Sequence, residues 1–123
     1  MPRQVLSVGQ CGPDHSAISR FLKSNFDVVI STADTIVDAM YDLRAAKYDL
    51  VLVNRKLDAD YSDGGELIRL IKADPALVDV PIMLVSNYPE HQANAVALGA
   101  EPGFGKLELG KSDVVARLEP FLK

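Results

Sequence analysis

Asn54 closes the run Tyr48-Asp49-Leu50-Val51-Leu52-Val53-Asn54, a short apolar stretch ended by one polar side chain. A polar residue at the carboxyl end of a buried parallel strand points into the crevice where α/β sheets bind ligands. An aspartate there could serve as nucleophile and metal ligand; the amide keeps the shape and lacks the charge. Asn54 therefore reads as a site position whose nucleophile has been removed. Cys11 invites a second chemistry, with Asp14 and His15 close in sequence. A reactive thiol needs a helix start or cations to lower its pKa. A phosphatase-type loop also needs an arginine at short spacing, and the first one downstream, Arg20, is too far. Gly9-Gln10-Cys11-Gly12 lacks the lysine and the glycine spacing of a P-loop. Cys11 reads as a small, half-buried cysteine in a turn. His15 and His91 show no metal-ligand spacing and read as surface residues.

The elements that must position these residues alternate five times. Gln4–Val8 reads as a strand, and a helix follows over 15–25 with Ile18, Phe21, Leu22 and Phe26 on one face and Asp14 as N-cap. A strand over Phe26–Ser31 precedes a helix over 33–46, whose inward residues are Ile36, Val37, Met40 and Leu43. The unbroken Leu-Val-Leu-Val of the third strand, Asp49–Val53, marks burial on both faces. A helix over 64–73 stops at Asp74-Pro75, because the residue before proline avoids the helical region. Pro81–Ser86 is the fourth strand, and a helix over 89–98 ends at Gly99. A fifth strand around Pro102–Lys106 holds two glycines. The last helix starts near 111 with Val114, Val115, Leu118 and Leu122 inward, and Pro120 is expected to break or kink its end. Five such units predict a three-layer α/β/α, doubly wound, five-stranded parallel sheet of order 2-1-3-4-5, flavodoxin-like in plan. That order puts the switch point between strands one and three, beside Gly9, Gln10, Cys11 and Asn54.

The chain, 123 residues long, reads as a single domain over 1–123. No apolar run is long enough to span a membrane and no apolar leader opens the chain, so no membrane partner is expected. The lone Cys11 cannot form an internal disulfide, which suits the cytoplasm. A net charge of −4 argues against nucleic acid as a partner, which calls for a basic face.

Four landmarks in order resemble the CheY-like receiver domain of bacterial response regulators over essentially the whole chain. Asp49–Asn54 resembles the strand that normally ends in the phosphoacceptor aspartate. Asp63-Gly64 resembles the pair that opens the third helix, and Val80–Ser86 the strand ending in a hydroxyl residue that contacts the phosphoryl group. Gly99-Ala100 followed by Lys106 resembles the turn into strand five and its lysine. The departures matter as much. The acidic pair that holds Mg²⁺ in the family falls on Gly9 and Gln10, and the phosphoacceptor falls on Asn54. The aromatic switch position is Gly103, with Phe104 displaced by one, and the proline after the lysine is Leu107. The loops 9–14 and 55–63 read as longer than usual. Ser86 and Lys106 are retained.

The resemblance thus implies a pseudo-receiver, a stand-alone signalling module of two-component or phosphorelay origin. It would act without enzymatic activity or cofactor, through protein partners or a homodimer on the face of the fourth helix, fifth strand and fifth helix. Mg²⁺ takes near-octahedral oxygen ligands, usually with one or two carboxylates, so no metal is expected at Gly9, Gln10 and Asn54. Asp14, Asp58 and Asp60 read as a helix cap and solvated loop charges; as rebuilt metal ligands they are the alternative. Acids restored together at 9, 10 and 54 are expected to return part of the phosphoryl chemistry. Lys106 is expected to be solvated or bound to a loop aspartate such as Asp58, and Ser86 to cap the following turn. Leu107 implies a trans peptide and a rearranged loop over 105–110. The rival function is a small-ligand protein or enzyme using a crevice lined by Cys11, Asn54, Ser86 and Lys106.

Overall fold

The structure is a computed structural model that describes residues 1–123. Its elements run β1 (Arg3–Val8), α1 (Gly12–Asn25), β2 (Val28–Ala33), α2 (Ile36–Ala45), β3 (Leu50–Asn54), α3 (Gly64–Ala73), β4 (Ile82–Val85), α4 (Pro89–Ala97), β5 (Glu101–Phe104) and α5 (Ser112–Leu122). The strands form one parallel sheet in the order β2-β1-β3-β4-β5, as the alternation of elements predicts.

The side-chain period of a strand divides the core in two. Val51 and Val53 of β3 face one way with Leu6, Val8, Ile82 and Leu84, packed against Met40, Leu43, Leu67, Ile68 and Ile71 of α2 and α3 and Ala95 of α4. Leu50 and Leu52 face the other way with Val5, Met83, Val85 and Phe104, under Ile18 and Leu22 of α1 and Val114 and Leu118 of α5. All four apolar residues of β3 are fully buried, which fixes the register that brings Asn54 to the crevice.

Several boundaries differ from expectation for local reasons. Cys11, not Asp14, is the N-cap of α1, with Pro13 in the first turn, so Asp14 lies inside the helix and only Gly9–Cys11 form the loop after β1. Phe26 is the C-cap of α1 and its N–H bonds back to Leu22, which delays β2 to Val28. Val37 is 77% exposed, because the inward stripe of α2 runs Ile36, Ala39, Met40, Leu43. Pro120 does not break α5, which continues through Leu122; in the last turn a missing N–H forfeits one bond at a frayed end. No peptide is cis, so Lys106–Leu107 is trans, and a 3-10 turn over Lys106–Glu108 follows.

Candidate functional site

β1 and β3 are neighbours at the point where strand order reverses, so their carboxyl ends open the crevice. Gly9 leaves β1 with φ +74°, a backbone region that suits glycine. A Cβ at Gly9 would run into the Leu57 side chain and lie 3.0 Å from Leu57 Cα, and Leu57 is fully buried. The loop over 55–63, between β3 and α3, therefore closes over Gly9. The Gly9 carbonyl accepts two bonds, from Asp58 N–H at 3.0 Å and from Asn54 Nδ2 at 3.3 Å. The Asn54 contact is one an aspartate cannot make, since an ionised carboxylate has no proton to donate. Gln10 keeps both amide atoms buried without a hydrogen-bond partner. The matched triad is an amide, a glycine and an amide, and the backbone is shaped to them.

The other side of the crevice carries polar groups that are paired within the chain. Ser86 Oγ lies 2.8 Å from His91 Nδ1 and accepts from Tyr88 N–H at 3.3 Å, so it caps the turn into α4 as expected. His91 is half-buried and packs edge-on to Tyr88, with ring centroids 5.1 Å apart. His15 is half-buried too, its Nδ1 buried without a partner; neither histidine is a plain surface residue. Lys106 Nζ meets Asp14 Oδ2 at 2.6 Å, with the two side chains 28% and 32% exposed. Its partner is thus Asp14 on α1 and not Asp58. The Lys106 ammonium holds the Asp14 carboxyl below the usual carboxylate range, opposed by burial and helped by the thiol of Cys11. Cys11 is half-buried in its turn.

Asn54, Ser86 and Lys106 line one cavity of about 220 Å³; Cys11 does not. The cavity also takes in Arg55 and Lys56, which sequence reasoning passed over, and His91, which it read as a surface residue. The Arg55-Lys56 dipeptide directly after β3 was a legible signal, because the first residues past a parallel strand flank its crevice. The candidate replacement ligands do not converge. Asp14 is paired with Lys106, Asp60 accepts from Ser62 N–H and Oγ in its own turn, and Asp58 is exposed. No group of three or more His, Cys, Asp or Glu residues is placed to hold a metal ion.

Neither a protein-family model nor a curated protein matches the sequence. Solved structures do. The signal receiver domain of a DNA-binding response regulator protein (merR) from Colwellia psychrerythraea 34H superposes with a TM-score of 0.79 at 24% identity, covering 96% of each chain. A response regulator receiver protein from Pseudomonas putida gives 0.77 at 20% identity over 98% of both chains. HP1043, an orphan response regulator of H. pylori, gives 0.72 at 21% identity over 98% of this chain and 97% of its own. The chain has the receiver fold. At these identities the likeness is one of architecture, and the chemistry of the site must be argued from the chain's own residues.

Proposed function

We propose that this protein is a receiver-fold signalling module, one domain over 1–123, that takes no phosphoryl group at Asn54 and acts by binding a protein partner in the cytoplasm. The hydrogen bond from Asn54 Nδ2 to the Gly9 carbonyl carries the reading. It turns a nucleophile's position into a donor that ties β3 to β1, and a carboxylate there would meet the carbonyl with like charge. Gly9 and Gln10 bring no charge to help a metal neutralise a transferring phosphoryl group.

The face of α4, β5 and α5 supports binding as the mode of action. A groove of about 540 Å³ runs between Tyr88, Ala93, Val96, Pro102, Glu108 and Arg117. Tyr88 is 59% and Val96 44% exposed, and α4 buries only Ala95, so small and apolar groups are presented outward. Gly103 leaves the aromatic position bare because a Cβ there would strike the Leu84 carbonyl, while Phe104 is buried in the core. The partner is a protein or a second copy of this chain, and no membrane or nucleic acid is involved; no helix is long and apolar enough to cross a membrane. The test is intact mass after incubation with acetyl phosphate and Mg²⁺. An unchanged mass is expected, and a stoichiometric gain of one phosphoryl group would overturn the reading.

A further inference from the structure

We propose that β2 is a docking edge that takes an extended segment of another protein as an added strand, one with β-branched or aliphatic residues at its centre and Lys or Arg at both ends. The sheet has two edges, β2 and β5, and the chain treats them differently. β5 is four residues long, holds Pro102 and shifts register against β4 between Met83 and Val85. Its outward backbone is also capped: the Gln92 side chain accepts from Gly103 N–H at 3.1 Å, and the Arg117 guanidinium donates to the Gly103 carbonyl. Short length, proline and irregularity are the usual devices that blunt an edge. β2 has none of them. It runs Val28-Val29-Ile30-Ser31-Thr32-Ala33, without proline, glycine or charge, in unbroken register with β1 from Arg3↔Val28 to Val8↔Ala33.

The parity of the ladder says which groups are free. Asp27 and Ala33 turn their carbonyls to β1, accepting from Arg3 N–H at 3.0 Å and Gly9 N–H at 2.9 Å. Alternate residues of a strand point their backbone groups the same way, so Val28, Ile30 and Thr32 point theirs outward. β1 is the only strand beside β2, and no side chain caps these groups. An exposed edge is ordinarily just hydrated, but this one also has apolar contact to offer. By strand period Val29 shares a face with Ala33, which packs in the cluster that holds Met40 of α2. Val29 is exposed, as are Val37 and Tyr41, one turn apart on α2. Single exposed hydrophobics are unremarked on most surfaces; these belong to the open strand and to the helix that packs on it. Charge decides the occupant. Asp27 and Asp34 flank the uncharged run, both exposed and neither in an ion pair. A second copy on β2, parallel or antiparallel, would bring an acid from each chain to both ends of the ladder, and the chain's net charge is −4. A segment with a cation at each end instead meets an acid at each end.

This surface lies at the opposite edge of the sheet from the α4, β5 and α5 face, so it stands independently of that one. The probe is a synthetic peptide with a Val-Thr repeat between lysine pairs, blocked at both termini and added to the full chain at low salt. NMR shifts are expected to saturate. Amide exchange at Ile30 and Thr32 should slow about tenfold, and at Val29 and Ser31, already bonded to β1, much less. Asp27→Asn/Asp34→Asn should weaken the lysine peptide about fivefold, as two screened surface pairs would, and glutamate in place of the peptide's lysines should weaken it further. Thr32→Pro removes one outward N–H and no bond to β1, and should abolish binding. Val29→Lys leaves the backbone alone, places a like charge on the edge at an exposed position, and should also weaken binding. Shifts that do not saturate, protection that does not alternate along β2, a glutamate peptide that binds as tightly, or Thr32→Pro and Val29→Lys chains that both bind like the native one would overturn the proposal. Self-association of the chain alone with the same amides protected would overturn it too, because the occupant would then be a second copy.

Discussion

The two sides of the crevice have taken opposite courses. On the β1–β3 side the matched groups are Gly9, Gln10 and Asn54, and the backbone has closed around them: Leu57 fills the space beside Gly9, and Asn54 donates to the Gly9 carbonyl. On the β4–β5 side Ser86 and Lys106 are polar groups satisfied by one side chain each, His91 and Asp14. Carboxylates crowded together repel and need a metal, whereas a hydroxyl and an ammonium can each be satisfied by one side chain nearby. The β4–β5 side is satisfied side chain to side chain, whereas on the β1–β3 side Asn54 is tied to backbone and Gln10 keeps its amide without a partner.

The largest expected effect lies on the closed side. Gly9→Ala must accept the left-handed backbone region, at about 1–2 kcal/mol, and push Leu57 out of a full core, at about 1–3 kcal/mol. A loss of about 3 kcal/mol in urea unfolding is expected. Gly12→Ala is the control: it has nothing within 4 Å of its would-be Cβ and should change stability by less than about 0.5 kcal/mol. Gly9→Asp meets the same collision, so the triple variant with acids at 9, 10 and 54 is expected to lose at least as much stability as Gly9→Ala, which works against the expected return of phosphoryl chemistry. A Gly9→Ala variant as stable as the native chain would break the comparison, because the first position would then be open.

On the β4–β5 side the effects are smaller. Ser86→Ala removes a buried hydroxyl that serves Tyr88 N–H and His91 together, and a loss of about 1–2 kcal/mol is expected. His91→Ala should cost less, because Tyr88 N–H keeps its acceptor. Equal losses would mean that packing of the His91 ring, not the hydrogen bond, is what matters.

The Asp14–Lys106 pair is about one-third exposed and is expected to contribute about 1 kcal/mol or less. Its pH dependence has a definite sign. The folded carboxyl titrates below its ordinary value of 3.8, so the contribution is fully present above that value and is lost as pH falls through the lower folded one. The stability gap between the native chain and Asp14→Asn should therefore be open at neutral pH and close in strong acid. A gap that persists in acid would assign the effect to helix α1 and not to the ion pair.

How much of this was legible depends on whether the signal is local. The continuous apolar run of β3 can be read from sequence alone, because burial on both faces leaves few alternatives, and with the alternation of elements it gave the sheet order and the position of Asn54. The N-cap of α1 was misread because Asp14 is the better capping residue by type, yet Pro13 favours a start one turn earlier and Lys106 claims the carboxylate. Val37 was misplaced because adjacent apolar residues on a helix cannot both face one core. The partners of Ser86 and Lys106, and the closure of Leu57 over Gly9, depend on contacts between loops distant in sequence, which no local pattern records.

The smallest expected effect is none. A crevice with three carboxylates carries repulsion that a bound metal relieves: two charges about 4 Å apart cost about 4 kcal/mol at an effective dielectric of about 20. A ligand that binds only the folded state raises stability in proportion to its occupancy. Here the three matched positions are uncharged, so Mg²⁺ has no repulsion to relieve, and the remaining candidates Asp14, Asp58 and Asp60 are paired, exposed or tied into a turn. The uncompensated Arg55 and Lys56 at the same cavity oppose a cation further. Thermal melts with and without millimolar Mg²⁺, at matched ionic strength, should overlay. A saturable rise in Tm with Mg²⁺ would reverse the comparison: a carboxylate that is spoken for or solvated would have turned into the crevice, and the side that has closed around amides would still hold a metal.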